Sequence, residues 1–215
     1  MKRIVSIFAF IVISVTSPIA QPRWSMELHG GGVFNLPIPL IIKQNGFQDI
    51  KLTARYSTEP FTLPIYYDIR FSRWQDGKSW ELEMIHHKLY LENTTQEVQK
   101  FNISHGFNIF FLNRGIEVNS FRYRAGVGMV IAHPESTIRG QKFGSSSDDN
   151  DFGYLLSGPA INVAAGRPFY LGKKFFINAE AKTTLAYASI KIVQGRADVY
   201  NIAFIILLGL GMNSR

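Results

Sequence analysis

Apolar and polar residues alternate along most of this chain with a period of two, and no stretch sustains apolar positions at helical spacing. Ile50, Leu52, Ala54 and Tyr56 interleave with Asp49, Lys51, Thr53 and Arg55. Leu63, Ile65, Tyr67, Ile69 and Phe71 do so with Tyr66, Asp68, Arg70 and Ser72. Phe121, Tyr123, Ala125, Val127, Met129 and Ile131 interleave with Arg122, Arg124, Gly126 and Gly128, and Phe175, Ile177, Ala179 and Ala181 with Asn178, Glu180 and Lys182. In an extended strand successive side chains point to opposite faces, so each segment has one apolar and one polar face. Segments of about ten residues with this dyad predict a β-barrel in a membrane.

The pattern predicts strands over 24–34, 47–57, 61–73, 79–91, 97–112, 118–133, 152–168, 173–192 and 197–213. Asn45-Gly46, Asp76-Gly77, Asn113-Arg114-Gly115 and Gly172 read as tight connections, and residues 134–151 as one long polar loop. Short turns belong to the periplasmic end and long loops to the outside. Both termini of such a barrel lie in the periplasm, which requires an even strand count. Either 36–43 supplies a tenth strand, or 24–43 is not wall and eight remain; the expectation is eight to ten, with ten favoured. Pro37 and Pro39 lack the amide donor of an interior strand, so that piece reads as edge-like.

The polar phase collects Glu27, Asp49, Asp68, Glu81, Glu83 and Glu180 against Lys51, Arg55, Arg70, Arg122, Arg124 and Lys182. Matched signs suit a narrow lumen, where an unpaired charge is costly. A soluble lipid-carrying barrel inverts the arrangement, with the apolar face lining a cavity. Three features favour the membrane. Trp24, Tyr56, Trp74, Trp80, Tyr90, Tyr154, Tyr170 and Tyr200 fall near strand ends, where aromatic girdles sit. Gly126, Gly128, Gly158 and Gly166 leave room for long side chains on the polar phase, and the last strand places Tyr200 to Met212 on one apolar phase.

The 215 residues are enough for one domain, and the absence of Cys excludes disulfides, zinc-thiolate centres and thiol-linked lipid anchors. Lys2 and Arg3, the apolar run Ile4–Ile13 and the small residues up to Ala20 predict a signal peptide over 1–20, leaving 21–215 as the barrel domain. Removing it lowers the net charge from +7 to +5, too little to argue for nucleic acid, which export also disfavours.

In all these patterns the chain resembles the small outer-membrane β-barrels of Gram-negative bacteria, over residues 24–213. The resemblance implies an all-β, single antiparallel up-and-down transmembrane barrel in the cell outer membrane. Its implied partners are outer-membrane lipids, lipopolysaccharide and the barrel-assembly machinery. The ending Gly211-Met212-Asn213-Ser214-Arg215 departs from the usual terminal aromatic.

Some barrels of this kind are lipid A deacylases with a Ser–His–acid constellation on the membrane-facing wall. A hydroxyl nucleophile, a base and an orienting carboxylate are the parts required. Ser104, His105 and Glu83 are the catalytic candidates, His86 and His87 lying close by in the neighbouring strand. Ser104 and His105, as strand neighbours, are expected on opposite faces. A turn at 113–115 sets His105 opposite Gly126 and far below His133. Asp148-Asp149-Asn150-Asp151 lacks the spacing of a calcium loop, and neither a metal nor a cofactor is expected. Gly30-Gly31-Gly32 reads as a strand kink. The leading expectation is a non-enzymatic barrel of structural or adhesive type. A lipid A-modifying hydrolase or acyltransferase and a periplasmic lipid-binding barrel are the alternatives.

Overall fold

The computed structural model describes residues 22–144 and 153–214. The expected signal peptide and the acidic run 148–151 therefore lie outside the described residues. Arg23–Asn35 (β1), Ile38–Gln44 (β2), Ile50–Ala54 (β3), Tyr56–Ser57 (β4), Tyr67–Gln75 (β5), Lys78–Leu91 (β6) and Val98–Val118 (β7) form the first half. Phe121–Ala132 (β8), Glu135–Ile138 (β9), Gln141–Phe143 (β10), Leu155–Leu171 (β11), Phe175–Ile192 (β12) and Gly195–Asn213 (β13) form the second.

Eight of these strands close on themselves. β1 pairs with β5, and the chain of antiparallel neighbours runs β5–β6–β7–β8–β11–β12–β13 and back to β1. Following partners once around from Ser25 leads through Ser72, Glu81, Asn113, Gly126, Asn162, Thr184 and Ala203 to Asn35. The starting strand is thus re-entered ten residues higher, the stagger that tilts the strands by roughly 40° and closes the wall.

The wall has eight strands, not the favoured ten. Residues 38–44 are no separate wall strand: β2 continues β1 up the extension of β13, after a break at Leu36-Pro37. β3 folds back on β2, and β4 pairs with the top of β6, so 47–57 lies above the wall rather than in it. Asp49, Lys51 and Arg55 are accordingly exposed and outside the lumen.

The turn expected at Asn113–Gly115 is also displaced. β7 runs on to Val118, and Asn119 and Ser120, both at positive φ, make the two-residue connection to Phe121. Asn113 is an inward-pointing strand residue that fills the space over Gly126. Part of the expected polar loop forms strands: β9 pairs with the upper part of β7, and β10 returns along β9 through Arg139-Gly140, both at positive φ.

Two surfaces follow. Outside, Trp24, Leu28, Leu82, Val127, Leu171 and Leu210 are among many large apolar side chains left exposed around the wall. Such a belt is solvated by acyl chains, as expected of the apolar phase. Trp80 and Tyr170 near one end, and Tyr154 and Tyr200 near the other, are exposed at its edges. Tyr56 and Trp74, expected in the girdles, are instead buried and point inward. Inside, the contents change partway up. Glu81 and Glu83 point inward from the lower part of β6, and Ile85 and Leu89 from the same face higher up. Phe101, Ile103 and Phe107 of β7, Ile190 and Ile192 of β12, and Leu40 and Ile42 of β2 join them in an apolar core under the outer extensions.

Candidate functional site

Two groups of residues carry chemistry. The first fills the periplasmic half of the lumen. Nine of the twelve charges expected there converge: Glu27, Asp68, Arg70, Glu81, Glu83, Arg122, Arg124, Glu180 and Lys182 are all at most 3 % exposed. Arg70 is the hub. It donates from Nε to Glu83 Oε1 at 2.9 Å and from Nη1 and Nη2 to Glu180 at 3.0 and 2.7 Å. Arg124 reaches Glu81 at 2.8 Å, Glu180 at 2.7 Å and Glu27 at 3.4 Å. Arg122 sits lower, bonded to Glu117 at 3.1 Å and to the Tyr170 hydroxyl at 2.8 Å, with its guanidinium over the Trp74 and Phe176 rings.

Sequence reasoning singled out neither His29 nor the asparagines that complete this network. His29 lies between Glu27 and Asp68, at 3.3 and 3.4 Å. Asn113 and Asn162 donate to Glu83, and Asn178 to Glu27. Their inward phase was the available signal. The carboxylate oxygens of Asp68, Glu83 and Glu180 come within 4.8 Å of one another, close enough to hold a metal ion. Lys182 Nζ contacts all three, at 2.6 Å to Asp68 and 3.4 Å to Glu180, so its ammonium occupies the position an ion would take. Buried ions held by several opposite charges and amide donors are stable only as a set, since removing one strands the others.

The second group lies on the outside of the wall, near its outer rim. Residues 104–106 of β7 form a bulge where Leu89 pairs with Ile103 and His87 with Phe107, and Gly106 adopts φ 140°. An extra residue in a strand re-aims its side chains. Ser104 and His105 therefore do not take opposite faces: Ser104 Oγ lies 3.4 Å from His105 Nδ1, and His105 is exposed. The longer β7 also shifts the register. His105 is not opposite Gly126 but beside His133, with ring centres 5.2 Å apart. Tyr154 packs its ring edge against His133 at 5.2 Å and donates its hydroxyl to the His105 carbonyl at 2.9 Å.

The carboxylate beside His105 is Glu135, at 3.1 Å from Nδ1, and Lys100 holds the other oxygen of Glu135 at 2.6 Å. Glu83 does not join Ser104 and His105; it is in the lumen, bound by Arg70, Lys182 and two asparagines. His86 and His87 diverge as well. His86 faces outward, bonded to Asn108 at 2.8 Å and stacked on Tyr67, whereas His87 points inward to Asn35 at 3.1 Å. Ser104 and Glu135 approach the same ring nitrogen, which leaves Nε2 of His105 as the position for a proton acceptor.

The architecture now meets known ones. The outer membrane protein AlkL, solved by solid-state NMR in DMPC lipid bilayers, superposes with a TM-score of 0.52 over 100% of this chain and 97% of its own, at 12% identity. The fold is that of a small outer-membrane β-barrel. OprG from Pseudomonas aeruginosa (TM-score 0.46, 9% identity, 92% of this chain and 97% of that one) shows a weaker likeness. So does Ail of Yersinia pestis in complex with the heparin analogue sucrose octasulfate, at 0.42, 11% identity, and 90% and 99% coverage. No protein-family model matches the chain, and no curated protein matches it in sequence. The barrel's apolar belt gives it the surface of a bilayer-spanning member of this architecture, with Val127 and Ile65 turned out to lipid and Arg70 and Arg124 turned in.

Proposed function

We propose that this outer-membrane barrel works at its outer surface, as a structural and adhesive protein, rather than by passing solutes. The ion-pair plug carries this reading. An eight-stranded wall leaves an interior that side chains fill, and here Arg70 bridges Glu83 on β6 to Glu180 on β12, across the lumen. The outward-facing extensions β2–β3 and β9–β10 supply the contact surface, in company with outer-leaflet lipids and lipopolysaccharide. Planar-bilayer recording of the refolded protein tests the plug: a sealed membrane is expected, and steady ohmic conductance would overturn the reading. Cell adhesion should fall when 135–143 is replaced by a short Gly-Ser turn.

A second reading, a lipid-directed hydrolase, is favoured by one observation, the Glu135–His105 contact at 3.1 Å. A carboxylate on Nδ1 orients an imidazole so that Nε2 can take a proton from water or a hydroxyl. His105→Ala should then change the acylation pattern of lipid A seen by mass spectrometry, while an unchanged pattern removes the reading.

A further inference from the structure

The connection between β4 and β5 does not rise away from the barrel. It comes down from Ser57, paired with Tyr90 near the top of β6, to Tyr67, paired with His86 lower on the same strand. On the way it presents Phe61, Leu63 and Ile65 at 84 %, 82 % and 49 % exposure. Glu59 is the only charged residue between Thr58 and Tyr66, at the end joined to β4. The segment is bound to the barrel by directed bonds. Lys88 is fully buried, and its Nζ donates to the carbonyls of Glu59 at 2.9 Å and Thr62 at 2.7 Å. Asn35 donates to Thr58 at 2.8 Å, and the Tyr66 amide closes onto the Pro60 carbonyl at 2.8 Å.

The depth of this segment follows from β6. Trp80, Leu82, Met84, His86 and Lys88 share the outward phase. Lys88 lies eight residues above Trp80, roughly 20 Å at about 3.3 Å per residue and a tilt of about 40°. A barrel's apolar band is about 25 Å tall, so the segment lies beside β6 at the level of the outer leaflet. There β6 and β7 break the apolar phase with His86, Lys88 and Asn108, yet each is at most 7 % exposed. Ile65 and Tyr67 continue directly into the belt, lining with Leu28, Gly30 and Leu208 a shallow groove of about 400 Å³.

We propose that residues 58–66 are an accessory membrane anchor, a strap that fills the wall between β4 and β5 with Thr58 and Tyr66 turned inward and bulges into the outer leaflet, with acyl chains covering Phe61, Leu63 and Ile65. Continuity with the belt decides for lipid as the occupant. The Lys88 ammonium is the pin: at this depth it needs acceptors, and the strap's two carbonyls provide them. The inference rests on the siting of the belt in a bilayer.

The chain has no Cys, so single cysteines carry a nitroxide label at chosen sites. The full barrel is refolded in phosphatidylcholine vesicles with labels at Phe61→Cys, Leu63→Cys, the belt control Val127→Cys and the outer control Lys51→Cys. Collisional relaxation is measured with oxygen, which concentrates in lipid, and with a water-soluble nickel chelate. Labels at 61 and 63 should favour oxygen as the label at 127 does, by several-fold over the label at 51. Nickel access equal to that at 51 would overturn the strap. Shielding from both reagents with dipolar broadening between copies would overturn it too, by making a second copy the occupant. Nickel access at 127 would refute the siting of the barrel itself, a separate failure. Adding Lys88→Met to the labelled Leu63→Cys chain should increase the mobility of the label while heat-modifiable gel migration stays normal; an unchanged spectrum would overturn the role of Lys88.

Discussion

The lower and upper halves of the lumen are enclosed by the same strands, yet one is filled with charge and the other with hydrocarbon. On β6 the inward positions pass from Glu81 and Glu83 to Ile85 and Leu89 without any change of phase. On the outward face of that strand Trp80, Leu82 and Met84 give way to His86 and Lys88 only where residues 58–66 cover them, and both are buried there. The difference follows the solvent outside. Where lipid touches the wall, the outer face must be apolar, and the interior is free to be built of directional ion pairs. Above the bilayer water touches the extensions β2–β3 and β9–β10, which must bury an apolar core like any soluble sheet protein.

Removing the hub of the charged half should have the largest effect. Arg70→Met leaves Glu83 and Glu180 without their main partner, and should cost about 3–5 kcal/mol of stability in urea titrations of the folded band. Adding Glu83→Gln and Glu180→Gln should recover most of that loss; no recovery would mean that Arg70 acts by packing alone. In the apolar half, Leu89→Ala should cost about 2–5 kcal/mol by opening a cavity, with no charge change able to compensate it. The rim pair Arg139–Glu97, at 2.9 Å and partly exposed, should show a coupling of only about 0.2–1 kcal/mol in a double-mutant cycle and weaken in salt. Lys51→Ala, exposed on β3, should leave the unfolding midpoint unmoved; a loss comparable to that of Arg70→Met would place it back in the plug.

The two-residue period made the wall legible because lipid and lumen impose opposite demands on alternate side chains. It could not fix where the wall stops. Asp49, Lys51 and Arg55 alternate with apolar neighbours as cleanly as Arg122 and Arg124 do, but in β3 water, not lumen, faces the charges. Asn113-Arg114-Gly115 carries turn chemistry, yet Asn113 is an inward donor to Glu83 and Gly115 makes space beneath Ser79 and Glu81. That misplaced turn is what separated His105 from His133 in the sequence. The Gly106 bulge, which brings Ser104 and His105 to one side, had one written sign, a glycine inside a strand. Glu135 sits thirty residues from His105 and reaches it only because β9 pairs with the top of β7.

The pairing of β1 with β13 runs over eleven partners, from Ser25–Asn213 to Asn35–Ala203, and joins the two ends of the chain. Every other wall contact lies between strands that follow one another around the sheet, so this one contact turns a ribbon into a tube. A polypeptide lacking residues 203–213 leaves the second edge of β1 unpaired, and in hydrocarbon those bare amides and carbonyls have no water to turn to. Closure of the tube therefore hangs on one seam, and β13 supplies one whole side of it.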